Sequence, residues 1–234
     1  YSSPDQGDEN HPFTPNKVSH RGVTHALLAC QLKDRNALER IISYAKNNEN
    51  SGVDFNQATQ LLGLTPALSA AMHNSPEFLQ ILATVRKPSG EMSVAFNAKI
   101  PSTGAGLCFI AAGSNSVSTL QFLATLKTAN GDLLLDFNCE NINCATPVYI
   151  AIQGCCDEAL NFLSTLKHAD GSYVVDFNKA KKNGDTPIQM AVFVGNTYAI
   201  SLLASLCNLD GSPMIDLTQK SSDKLSLEEI AIKG

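Results

Sequence analysis

Seven cysteines, at positions 30, 108, 139, 144, 155, 156 and 207, are the side chains of this 234-residue chain best suited to chemistry. Cys139 and Cys144 with the pair Cys155-Cys156 offer thiolates that zinc would accept, but tetrahedral zinc needs converging ligands, usually from two tight knuckles. The first pair falls in a connecting loop and the second past a helix, so all four are read as structural thiols and no metal is assigned. Cys30 and His25 could form a nucleophile and base. Side chains five apart on a helix face each other less well than those three or four apart, and no oxyanion motif or third orienting group accompanies them. The chain is therefore read as no enzyme, although one reactive thiol would mark a cysteine hydrolase. Gly104-Ala105-Gly106 runs on into Leu107-Cys108-Phe109, without the third glycine or the Lys-Ser/Thr that holds phosphate, so no cofactor is expected.

Composition narrows the field. Apolar residues make up 44 % of the chain, enough for a core, and charged residues only 17 %. Seventeen basic against 22 acidic residues leave a net charge of −5, which argues against a nucleic-acid surface built on clustered cations. No apolar run approaches the ~20 residues that span a bilayer, and no signal peptide opens the chain. An odd number of scattered cysteines fits reduced thiols. A soluble, monomeric, cytoplasmic protein without membrane insertion is expected.

The elements that must position any site repeat. Phe55-Asn56, Phe96-Asn97, Phe137-Asn138, Phe177-Asn178 and the equivalent Leu217-Thr218 are spaced by 41, 41, 40 and 40 residues. Thr65-Pro66, Thr146-Pro147 and Thr186-Pro187 precede Ala70, Ala151 and Ala191, and Ala29, Ala111 and Ala231 complete that column. Each of the first five alanines lies 26 residues before the next Phe (or Leu217), so the one-residue indel falls between the Phe and the following Thr-Pro box. Thr caps a helix and Pro suits its first turn. Asn74, Asn115 and Gly195 suit a left-handed stop, a rule that Lys33 and Cys155 break. Second helices follow with stripes such as Leu79-Leu82-Val85, Leu120-Leu123-Leu126 and Leu160-Leu163-Leu166. Ser51-Gly52, Ser89-Gly90, Asn130-Gly131, Asp170-Gly171 and Asp210-Gly211 mark turns, and Leu135-Asp136-Phe137 and Val175-Asp176-Phe177 alternate as half-buried strands do. Such units bury a core only when stacked.

The box Gly184-Asp185-Thr186-Pro187-Ile188-Gln189-Met190-Ala191 resembles the opening of the first helix in the ankyrin repeat, as does Gly63-Leu64-Thr65-Pro66-Ala67-Leu68-Ser69-Ala70. Asp54-Phe55-Asn56, Asp136-Phe137-Asn138 and Asp176-Phe177-Asn178 resemble the end of such a unit. The resemblance implies an all-α-dominated, ankyrin-like helix-turn-helix repeat solenoid with β-hairpin-like fingers. Five repeats and a truncated sixth would occupy 21–234 behind a polar lead or cap at 1–20. Ankyrin units run about 33 residues. The surplus here suggests a longer second helix with an added turn and strand, and is similar to lengthened repeats of bacterial-effector type, which would act in a host cytoplasm. The third unit carries Gly106-Leu107, and the first Thr24-His25, in place of Thr-Pro.

By that resemblance, partners bind along the fingers and the exposed face of the first helices. The candidate residues are Leu61, Leu62, Leu64, Ile100, Asn141, Ile142, Lys181 and Lys182 in the fingers, with Met72, His73, Phe193 and Val194 at first-helix ends. Lys179, Lys181 and Lys182 form the densest basic cluster, flanked by Asp176 and Asp185. It reads as a solvated finger or as a contact for an acidic partner. The apolar finger residues either form an exposed row, as a protein-binding patch does, or fold back onto their neighbours. The expected function is a non-catalytic protein–protein interaction scaffold. The alternative is the targeting module of a larger enzyme or secreted effector.

Overall fold

In the computed structural model, which describes residues 18–19, 21–48, 51–219, 226–227 and 229–230, the period becomes five helix pairs. They are α1 (His25–Leu32) with α2 (Arg35–Asn47), α3 (Pro66–Met72) with α4 (Pro76–Leu82), α5 (Leu107–Gly113) with α6 (Val117–Thr125), α7 (Pro147–Gln153) with α8 (Asp157–Thr165), and α9 (Pro187–Phe193) with α10 (Thr197–Ser205). First helices pack on first helices in chain order, α1 on α3 through α7 on α9, and second helices likewise from α2 to α10. The core lies between the two rows. Among the described residues, extended structure amounts to single antiparallel bridges. The polar lead at 1–20 lies outside the described residues except for 18 and 19, where Val18 bridges Thr24.

Four of the five first helices are fixed at both ends by their own sequence, while α5 starts after Gly106 without a side-chain cap. Buried Thr24, Thr65, Thr146 and Thr186 accept hydrogen bonds from the backbone of Leu27, Leu68, Tyr149 and Gln189 at 3.1–3.4 Å. Such a cap is worth about 1 kcal/mol. Ser226 and Glu229 repeat the reciprocal box that Thr186 forms with Gln189, and so start a sixth first helix; Ala231 lies outside the described residues. At the other end, Lys33, Asn74, Asn115, Cys155 and Gly195 all have φ between 48° and 67°. The next residue, from Asp34 to Asn196, donates its N–H at 2.8–2.9 Å to the carbonyl of the alanine five before it. Lys33 and Cys155 thus keep the left-handed stop. The bond back to the alanine holds it at a cost of about 1–2 kcal/mol relative to glycine.

The expected lengthening of the second helix occurs only in α2, which has 13 residues; α4, α6, α8 and α10 have 7 to 9. The surplus forms a hairpin instead. Thr128 donates to the Asp132 carbonyl and Gly131 to that of Thr128, with Gly131 at φ 87°, and the same pattern recurs at 87–91, 168–172 and 208–212. This is a type I turn closed by a left-handed glycine. The alternation at Val175-Asp176-Phe177 is one of burial only, and no strand forms there.

The Phe-Asn pairs then join units. Phe55, Phe96, Phe137 and Phe177 are buried. Asn138 donates to the Val174 carbonyl at 2.8 Å and accepts from the Asp176 amide at 2.7 Å, so one side chain clamps the next unit's backbone. Asn56 clamps Ser93 and Ala95, and Asn178 clamps Met214 and Asp216, in the same way. Asp54, Asp136 and Asp176 accept the amide of the clamping Asn and hold it in place. The second unit has Ala95 in place of that aspartate, and Asn97 is exposed and makes no such clamp.

Candidate protein-interaction surface

Between each Phe-Asn pair and the next first helix the chain makes a finger closed on itself. Thr59 bonds the Leu64 carbonyl and Ile100 that of Ala105, while Asn141 bonds Ala145 and Lys181 bonds Asp185. The first two closures are one residue longer than the last two, which places the indel of the repeat at the fingertip. Backbone bonds also tie fingers together: Gln60 to the Arg21 carbonyl at 3.0 Å, Ile142 to Thr103 at 2.9 Å, and Lys182 to Asn143 at 2.8 Å. Packing between tips is close. A Cβ at Gly104 would sit 2.8 Å from the Ile142 amide nitrogen, and one at Gly63 would overlap the Pro101 ring.

This frame leaves some candidate side chains in solvent and removes others. Leu61 is 83 % exposed, Leu62 53 % and Ile142 57 %. Lys182 is exposed as well. Leu64 is buried in the core beneath its finger, and Ile100 and Val194 are half-buried against that core, so these three offer a partner little. Asn141 spends its side-chain oxygen on the amides of Asn143 and Ala145, which shape the tip. Lys181 lies 3.9 Å from the Asp185 carboxylate and 5.1 Å over the Tyr149 ring, anchoring its finger to α7. Met72, His73 and Phe193 are exposed at first-helix ends, with His73 Nδ1 2.8 Å from the Ser69 carbonyl. A helix of seven residues, about 10 Å long, separates that set from the fingertips.

Among the described residues, six exposed large apolar side chains were not among the candidates: Leu28 and Leu32 on α1, with Val18, Tyr198, Leu209 and Leu217. Register finds Leu28. Leu28 shares its place with Ile150, whose side chain packs against Gly113 of the preceding unit. On α1, whose first-helix neighbour is α3, that place faces outward.

The thiols differ in their surroundings. Burial pushes the Cys30 thiol up to about 12, the reverse of an activated nucleophile, and His25 is exposed. Cys108 and Cys139 share a hydrogen bond that raises the first and lowers the second. Cys156 donates to the Gly113 carbonyl at 3.4 Å, joining two units. Among the described residues, no three or more His, Cys, Asp or Glu side chains converge as metal ligands, and no helix is long and apolar enough to cross a membrane. Near the tips, Lys179 bonds Glu140 at 3.0 Å and holds that carboxyl below its ordinary range. The Lys99 ammonium donates to the Glu140 carbonyl.

Comparison with protein-family models finds no match for this chain, and comparison with curated proteins finds none either.

Proposed function

We propose that this chain is a non-catalytic scaffold, an ankyrin-like stack that binds a partner protein through its fingertips and the exposed ends of its first helices. One observation carries the reading: Leu61, Leu62 and Ile142 stand in solvent on loops whose backbones are tied to themselves and to their neighbours. Each exposed Leu or Ile offers about 1.5–3 kcal/mol when buried by a partner. A surface already rigid loses little ordering entropy on binding.

The test is affinity capture from cell lysate followed by mass spectrometry, using the full chain and a Leu61→Asp/Phe193→Asp variant. Loss of captured protein with an unchanged thermal transition is the expected result. Equal capture by both forms would defeat the reading, and unfolding of the variant would place those side chains in the core.

A further inference from the structure

Resting on that reading, we infer that the finger row takes an acidic partner segment, one with two apolar anchors and a carboxylate outside each of them. The fingers differ in charge from the chain as a whole. Their described residues carry five cations (Arg21, Lys99, Lys179, Lys181, Lys182) and two anions (Glu140, Asp185), in a chain of net charge −5. What matters for a partner is which of these remain free. Glu140 is bonded to Lys179, and Asp185 pairs with Lys181 and accepts from Asn183. Lys99 is held by the Glu140 carbonyl. Both carboxylates are therefore engaged, and so are three of the cations. Among the described residues, Arg21 and Lys182 are exposed and stand outside these pairs.

The order along the row gives the partner its pattern. The loop before α1, closed by the Ser19 amide on the Val23 carbonyl, serves as the first finger; it carries Arg21 and lies next to the finger that carries Leu61 and Leu62. The third tip is polar, with Ser102 and Thr103 exposed. The fourth carries Ile142, and the fifth, bonded to it through Asn143, carries Lys182. Packed helices stand about 8–10 Å apart, which sets the apolar anchors roughly 20 Å apart and the cations roughly 40 Å apart. About a dozen extended residues cover that span. A basic segment would meet an exposed charge of its own sign at both ends, and a wholly apolar one would leave both cations unanswered.

The experiment is selection of random 16-residue peptides displayed on phage against the full chain, with the enriched sequences then measured against three forms of the protein. The expected pool is net negative with two apolar clusters. Leu61→Asp/Leu62→Asp should abolish binding. Arg21→Glu/Lys182→Glu should weaken it more than ten-fold, as should raising salt from 50 to 500 mM. These side chains are exposed, so the thermal transition of both variants should stay in place, which checks that a loss of binding is local. A neutral or basic pool that needs Leu61 and Leu62 but ignores the charge reversal would overturn this inference and leave the fingertip reading standing. No enrichment, or enriched peptides indifferent to Leu61→Asp/Leu62→Asp, would overturn both.

Discussion

The Phe-Asn turns and the fingertips lie within a few residues of each other in every unit, yet they spend their side chains in opposite ways. In the turns, Phe137 is buried and Asn138 uses its amide donor and its oxygen on the next unit's backbone. In the tips, backbone bonds such as Ile142 to Thr103 join neighbouring fingers, Lys179 and Lys99 add side-chain bonds to Glu140, and the Ile142 side chain is left outside. A segment whose backbone already makes the junction frees its side chains to vary, whereas one that joins units through side chains does not.

The largest break in that comparison is Phe137→Ala. Truncating a buried Phe costs about 3–5 kcal/mol, and equilibrium unfolding in denaturant should register a loss of that size. Smaller is Asn138→Ala, which strands a carbonyl and an amide of the fourth unit and should cost about 1–3 kcal/mol. The molecule supplies its own control, because Asn97 occupies the same register without a clamp. Asn97→Ala should stay within about 0.5 kcal/mol of the parent. The converse change, Ala95→Asp, restores the acceptor that orients the Asn in other units. By register it directs Asn97 at the backbone of Leu134 and Asp136, and a gain of about 1 kcal/mol in the same measurement is the expected outcome.

What could be read from sequence follows the range of the interaction. Thr65-Pro66 and Asp170-Gly171 announce a helix start and a turn because a capping hydroxyl and a left-handed glycine act within a few residues. Lys33 and Cys155 look wrong for a left-handed stop, since residue type states a preference while the bond to Ala29 or Ala151 imposes the conformation. The added residues read as a longer helix with an added turn and strand; Asn130-Gly131 marked the turn that absorbs them, while the longer helix occurs only in α2. The Asn clamps reach 36 to 39 residues along the chain, so nothing local to Phe-Asn reveals them. The candidate surface divided in the same way. Leu61 and Leu64 are alike as residues, and the closure of the finger through Thr59, which bonds both the carbonyl and the amide of Leu64, leaves one outward and the other beneath.

The central claim is that apolar fingertip side chains belong to a partner and not to the fold. It is tested most directly by the denaturant midpoint of a Leu61→Asp/Leu62→Asp/Ile142→Asp variant, measured beside Phe137→Ala and Asn138→Ala. Exposed positions of this kind change stability by about 0.5 kcal/mol or less each. The triple variant should therefore unfold close to the parent, with a smaller shift than Asn138→Ala. A shift as large as that of Phe137→Ala would mean that these side chains are core, and would contradict the account.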